Sequence, residues 1–566
     1  MVATERGVST RLAGLLAARG AVTGDDLSAW FANPLDGLHD PALLPDAAVM
    51  LARLRVARDR DERVLVFGDF DADGLTGLAI MTIALRRYGI AVEPYVPSRL
   101  DEGHGLSMAA LEAATRSGAT VIVTVDCGTT SVAEIAAANE RGLDVIVTDH
   151  HRVPVVLPAA LAIVNPHRAD SIYPDRRLAG SGVAFKVAQL LLAEEPDGAA
   201  AALDLSDLAT IGTVADVAPI VGENRSIARL GLERLRRAPR PGIAALLERA
   251  RVAHDAVDLE TVSFAIAPRL NAAGRVGEAL EAARLLLAED PLEAATHADA
   301  LEAANLTRRD LMKTAVAEAR AALDDTTVDA ATVIRGPWGV GIVGLVAARL
   351  AEDRGRPAVV GADLGDVVRA SCRSDGSLDL GATLERCADL FIRFGGHAGA
   401  AGFELAADRW DEFRERFLHL AAETAPADSR VSIAIDLALP AGEVDYDLHR
   451  ELTGLAPCGP GNREPLVAVL GLTVTRVRAA TGGHTQLTLR RERDVLDGIA
   501  FGRPDIAEVV REGDRLDVVA RLTSRRFGGY ESLQLDIRDV ATSGSHPASA
   551  ALLAARDARV LVGSAP

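Results

Sequence analysis

The chain has 566 residues, enough for roughly three or four domains of about 150 residues each. Hydrophobic residues make up 49% and charged residues 25%, which excludes a disordered chain, a collagen-like repeat and a small disulfide-stapled scaffold. Lys and Arg total 61 against 80 Asp and Glu, a net charge of −19, so bulk charge does not favour coating duplex DNA; a local basic groove or a carboxylate-built metal site stays open.

Residues 1–45 read as an N-terminal helical segment. Within 1–20, Arg6, Arg11 and Arg19 interrupt any apolar signal core, and no run of about 18 apolar residues follows anywhere, so neither an exported nor a membrane-spanning chain is expected. From 46 to 240, the short apolar runs 63–67 (RVLVF), 120–125 (TVIVTV), 144–148 (DVIVT) and 161–164 (LAIV) suit strands of a parallel sheet covered on both faces. Helix-like stretches at 75–88, 107–117 and 131–141 alternate with them, which predicts a doubly wound α/β domain. Residues 241–327 read as a helical connector, and a second, smaller α/β pattern occupies 328–425. Short alternating strands within 430–542, such as 487–489, 515–522 and 531–537, predict a small β-barrel. The Ser-, Ala- and Gly-rich residues 543–566 read as a flexible tail. The four cysteines, Cys127, Cys372, Cys387 and Cys458, are too scattered for a zinc site or a disulfide framework and suit a cytoplasmic protein.

The chemistry concentrates at three predicted strand ends. RVLVF runs into Gly68-Asp69-Phe70-Asp71-Ala72-Asp73-Gly74, TVIVTV into Asp126-Cys127-Gly128, and DVIVT into Asp149-His150-His151. Clustered carboxylates repel one another unless a cation or proton sits among them, and ligands of open α/β sheets bind at the carboxyl ends of strands. Any one of these motifs alone is as well explained by a turn or a helix cap. Three in succession point to an oxygen-rich metal site with imidazole, suited to Mn²⁺ or Mg²⁺ rather than structural zinc. Paired hard metals on such a rim predict phosphoester hydrolysis.

These motifs, with Asp216 in TVADVAPI, resemble those of the DHH phosphoesterase superfamily. Asn165-Pro166-His167, the stretch LAGSGVAFK ending at Lys186, PRLNAAGR ending at Arg275, and GGHAGAAG around His397 further resemble the RecJ-type single-stranded-DNA-specific exonucleases, in order over most of 46–540. The resemblance implies an α/β parallel-sheet DHH domain, a smaller α/β domain of the DHHA1 type joined to it by helices, and a C-terminal OB-type β-barrel. It implies that Asp71, Asp73, Asp126, His150 and Asp216 hold two ions, with Asp126 able to bridge them, that His151 serves catalysis at the scissile phosphate or its leaving oxygen, and that Asp69 orients a ligand or water. Arg99 and Arg275 match positions for a 5′ phosphate, with Arg373 and His397 on the opposite wall. In the barrel, Arg490, Arg491, Arg525 and Arg526 with Phe527 and Tyr530 form a candidate track for single strands.

The implied activity is 5′-to-3′ hydrolysis of single-stranded DNA to mononucleotides, in DNA repair and recombination, by a monomer supplied with strand by a single-strand-binding protein or helicase. Two departures bear on substrate grip: the stretch Pro337-Trp338-Gly339-Val340-Gly341 lacks a histidine frequent in the family, and a family tyrosine is His104 here. Two alternatives stand beside this reading. One is a DHH phosphodiesterase acting on short oligonucleotides or cyclic dinucleotides; the other is a non-catalytic single-strand-binding scaffold.

Overall fold

The computed structural model describes residues 9–21, 23–99, 101–237, 239–323, 330–424, 433–527 and 530–545. The chain forms two compact units, one of residues 38–429 and one that joins residues 1–37 to 430–566.

The larger unit opens with a five-stranded parallel sheet of β1 (Arg63–Gly68), β2 (Ala91–Tyr95), β3 (Ala119–Val125), β4 (Asp144–Thr148) and β5 (Ala162–Val164), in the order β2-β1-β3-β4-β5. Alternation along β1 sends Val64 and Val66 into one apolar layer with the helices Ala72–Arg87 and Gly180–Leu192. Leu65 and Phe67 face the other layer, against the helices Met108–Ser117 and Val132–Glu140. Burial on both faces is why these strands read as continuous apolar runs. The exception is β2, which the sequence reading passed over: it is an edge strand carrying Glu93 and Pro94, and Pro suits an edge because it cannot donate to a second neighbour.

Helices from Gly222–Arg237 to the 32-residue Pro291–Ala322 follow without a strand. They lead to a mixed sheet of β6 (Thr332–Gly336), β7 (Ala358–Asp363), β8 (Val367–Arg373), β9 (Phe391–Gly396) and β10 (Ala400–Ala406), ordered β6-β7-β8-β10-β9 with only β6 and β7 parallel. Trp410, Phe413 and Phe417 of the helix Trp410–Thr424 pack on one face of this sheet.

In the smaller unit, β11 (Leu437–Leu439), β12 (Val467–Ala480), β13 (His484–Arg491), β14 (Asp494–Ala500), β15 (Arg515–Phe527) and β16 (Tyr530–Thr542) build the barrel, which closes through the β12–β15 pairing. Leu12, Leu15 and Leu16 of the helix Thr10–Ala18 share its core. Arg19 reaches Asp436 at 3.1 Å and Asn462 at 2.9 Å, and Arg11 reaches Glu451 at 3.0 Å. The N-terminal stretch read as 1–45 is therefore shared: residues up to Gly37 pack with the barrel, and those from Leu38 with the parallel-sheet unit. Most of the tail read as 543–566 lies outside the described residues. No helix among the described residues is long and apolar enough to cross a membrane, and the four cysteines form no disulfide.

Candidate active site

Because β1, β3 and β4 are neighbours, the acids that follow them meet at one end of the sheet. Asp71 caps the helix Ala72–Arg87, its Oδ1 accepting from the backbone N–H of Asp73 and Gly74, each at 3.0 Å. Asp73, in the first turn of that helix, accepts from Gly180 N at 2.7 Å and Ser181 N at 3.0 Å, where the helix Gly180–Leu192 begins. A side chain at Gly180 is impossible, since its Cβ would fall 2.5 Å from Asp126 Oδ1. Asp126 follows β3 with φ 63, a left-handed backbone that is strained for a non-glycine residue.

His150 joins these acids. Its Nε2 lies 3.0 Å from Asp126 Oδ1 and 4.0 Å from Asp73 Oδ2, and its Nδ1 lies 3.8 Å from Asp216 Oδ2. The donors fall into three overlapping groups, each with its atoms within 4.8 Å: Asp69 with Asp71 and Asp126, Asp73 with His150 and Asp216, and Asp126 with His150 and His151. Asp126 and His150 are each shared by two groups.

The donor set fits hard divalent cations. Asp69 Oδ1, Asp126 Oδ1 and His150 Nε2 are buried and have no hydrogen-bond partner. Burial, reinforced by Asp69 and Asp73, raises the Asp71 carboxyl above its ordinary value, and burial with Asp73 and Asp71 raises Asp126 well above it. Desolvation and Asp73 push Asp216 up to about 7. Burial opposes charge on His150, but Asp73 and Asp216 prevail and raise it. Carboxylates that resist ionisation beside one another are what a cation among them relieves.

His151 is tied differently. Buried Asp149 accepts from the backbone N–H of Thr129, His150 and His151, and its Oδ1 also takes His151 Nδ1 at 2.8 Å. Burial works against the Asp149 charge, yet the His151 bond holds its carboxyl below the usual range. The same bond lifts His151 to about 9. With Nδ1 engaged, the ring keeps Nε2 for other work, on a side chain 57% exposed at the rim.

Beside the acids lies a cluster of arginines. Arg99 feels the charges of Asp71, Asp69 and Arg373, and its guanidinium lies 4.2 Å from the centre of the Phe70 ring. Burial, then the repulsion of Arg99, Arg308 and Arg373, lowers Arg275 to about 9. Arg275 donates to Gly341 O at 2.9 Å and Arg373 to Cys372 O at 2.7 Å, so backbone carbonyls rather than carboxylates fix them. Guanidinium groups gathered this way have the chemistry to hold an anion. Asn271, from the same NAAGR stretch as Arg275, accepts from Ala72 N at 2.8 Å and joins the pocket's helix to the metal loop.

Three features went beyond the sequence reading. Asp69 belongs to a candidate metal group with Asp71 and Asp126, not only to an orienting role. Arg308 and Phe264 share with Arg275 and Ala215 a cavity of about 360 Å³, and Phe264 is 78% exposed on a π-helical turn, Val262–Ile266. The only signal for Phe264 in the sequence is that aromatic residues are rare, 4% of the chain, and Arg308 has none. His397 is not drawn into the cluster by any contact among the described residues: it sits exposed in the turn between β9 and β10, accepting from Gly399 N at 3.2 Å. In the barrel, Arg491 donates to Leu470 O at 2.8 Å, while the side chains of Arg526, Phe527 and Tyr530 lie outside the described residues.

Comparison with known proteins agrees with this architecture. The models of the DHH family N-terminal domain, the DHHA1 domain and the RecJ OB domain match residues 63–213, 328–423 and 435–539. The single-stranded-DNA-specific exonuclease RecJ of Bacillus subtilis is 34% identical, over 95% of this chain and 68% of its own length. That of Escherichia coli is 35% identical, over 84% of this chain and 87% of its own. The crystal structure of RecJ in complex with Mn²⁺ from Thermus thermophilus matches with a TM-score of 0.77 at 30% identity, covering 89% of this chain and 72% of that one. The Mg²⁺ complex from the same organism matches with a TM-score of 0.71.

Proposed function

Because this chain belongs to the family of RecJ single-stranded-DNA-specific exonucleases, we propose that it degrades single-stranded DNA from the 5′ end, releasing mononucleotides, with the reaction centred on Asp126. The enzyme is a single-stranded-DNA-specific exonuclease with Mn²⁺ or Mg²⁺ as its cofactor. Two such ions, when bound, neutralise phosphate charge and make water a better nucleophile. Asp69, Asp71 and Asp126 are the donors proposed for one ion, and Asp73, His150 and Asp216 for the other, with Asp126 positioned to serve both. His151, fixed by Asp149 at Nδ1, presents Nε2–H to an oxygen of the scissile phosphate and stabilises charge on the leaving group.

Polarity comes from the arginines. Arg99 and Arg275 feel both Asp71 and Arg373, so a terminal phosphate held by Arg99, Arg275 and Arg373 would place the first phosphodiester near the acids. The cluster draws on the parallel-sheet domain, the helical connector and the second sheet, so the strand end is gripped between domains where a duplex end does not fit. Phe264 and Arg308 offer the next nucleotide a stacking face and a phosphate contact. His397 belongs to the same proposal as an outer contact, and the barrel arginines Arg490 and Arg525 as a separate contact for single strands. The proposal extends to a monomer that works in the cytoplasm on strand exposed by a helicase or covered by a single-strand-binding protein, in repair and recombination.

The observation that carries this reading is the adjacency of a carboxylate–histidine metal cluster to an arginine cluster whose guanidinium groups, among the described residues, are pinned by no carboxylate. It is tested with Mn²⁺ on a long single strand, its duplex form and a dinucleotide. Metal-dependent cleavage of the long strand, with the duplex intact, supports it. Cleavage of the dinucleotide alone overturns it.

A further inference from the structure

His104 stands where the family resemblance implies a tyrosine, and its surroundings in this chain are specific. It stands between Gly103 and Gly105, both with left-handed φ (79 and 88), so the backbone turns sharply on each side of it. Glu102 holds the loop: it accepts from Ser98 N at 2.8 Å, from Tyr95 Oη at 2.9 Å and from the Ser107 hydroxyl. The imidazole lies 4.4 Å, centre to centre, from the buried Phe70 ring, and its Nδ1 lies 3.0 Å from Asp69 Oδ2. A carboxylate accepts only, so Nδ1–H donates. The other oxygen, Asp69 Oδ1, is buried without a partner, and Asp69 forms a candidate metal group with Asp71 and Asp126.

We propose that His104 is a positioning residue of the metal centre: by holding Asp69 Oδ2 it fixes the carboxylate so that Oδ1 is presented to the ion that Asp71 and Asp126 share. The inference rests on the reading of those three acids as metal donors. A hydrogen bond on the far oxygen of a ligating carboxylate fixes its rotamer and sets its basicity, and loss of such a partner costs about 10- to 100-fold in metal affinity. A tyrosine here carries its hydroxyl several bonds farther from the backbone and does not reproduce a donor at Nδ1. The histidine is thus a local solution in this chain, and the Phe70 ring packs against the imidazole at an interplanar angle of 51°.

The test is Mn²⁺ binding to the full-length, metal-free chain without DNA, followed by electron paramagnetic resonance of the free ion. His104→Phe keeps the packing on Phe70 and removes the donor; His104→Asn restores an N–H close to the Nδ1 position. The wild type is expected to bind two Mn²⁺. His104→Phe is expected to weaken one of them about 10- to 100-fold while the other, and the melting temperature in EDTA, stay unchanged. His104→Asn is expected to recover binding to near wild type. Wild-type affinity at both sites in His104→Phe, or no recovery in His104→Asn, overturns the role of His104 alone. Fewer than two ions on the wild type overturns the donor assignment and this inference with it.

Discussion

Asp126 Oδ1 and His150 Nε2 stand 3.0 Å apart in the interior, and neither makes a hydrogen bond. With no hydrogen bond to satisfy either atom of this close pair, a shared cation recovers the free energy that their burial costs. Asp126→Asn keeps the shape and removes a carboxylate whose charge burial and Asp73 both oppose. In EDTA this variant should melt no lower than wild type, whereas excess Mn²⁺, worth about 2.7 kcal/mol at a hundred times Kd, should stabilise the wild type far more than the variant. Differential scanning calorimetry with and without Mn²⁺ reads both effects; equal Mn²⁺ stabilisation of the two proteins contradicts the assignment.

The two adjacent histidines should separate cleanly. His150→Ala removes a donor from two candidate groups and should abolish tight binding of the ion assigned to Asp73, His150 and Asp216. His151→Ala leaves those donors in place, so Mn²⁺ binding should persist while kcat falls roughly 10²- to 10⁴-fold, the range for a lost proton donor. Calorimetric Mn²⁺ titration beside single-turnover cleavage distinguishes them, and loss of Mn²⁺ binding in His151→Ala would make that residue a ligand instead.

Arg275→Ala should erase the preference for a phosphorylated 5′ end. A hydrogen bond to a charged group contributes about 1.5–3 kcal/mol, so KM on a 5′-phosphorylated strand should rise roughly 10- to 100-fold, with little change on a 5′-hydroxyl strand. An equal loss on both substrates would indicate damage to the Gly341 contact rather than to phosphate binding.

Phe264→Ala should raise KM on long single strands about tenfold, within the 1–3 kcal/mol range of a base–aromatic stack, and leave kcat unchanged. The ring is exposed, so its removal takes nothing from the core. Steady-state kinetics on strands of increasing length reads the change, and an unaltered KM removes Phe264 from the path.

Much of this was visible in the sequence because the geometry of a parallel sheet makes it so. Strands β1, β3 and β4 are buried on both faces and read as apolar runs, and their ends carry GDFDADG, VDCG and DHH to one rim. Edge strand β2 was not visible, since Glu93 and Pro94 give it no apolar run. Asp216 closes a helix far along the chain and could be chosen only through the family pattern. The alternating carboxylates of GDFDADG do not reveal by spacing that Asp69 shares a group with Asp71 and Asp126; that depends on His104 and on how the loop turns. Arg308 and Phe264 sit on helices whose exposed faces look ordinary until tertiary packing gathers them around one cavity. The packing of residues 10–18 on a barrel more than four hundred residues later has no local signal either.

The central claim is that a metal cluster beside an arginine pocket makes this enzyme start at the 5′ end. The most direct measurement uses one single strand labelled at either terminus, incubated with Mn²⁺ and sampled early. The account predicts immediate release of the 5′ label as mononucleotide, with the 3′ label retained on long strands until late. Early release of the 3′ label, or of both labels from internal cuts, would contradict it.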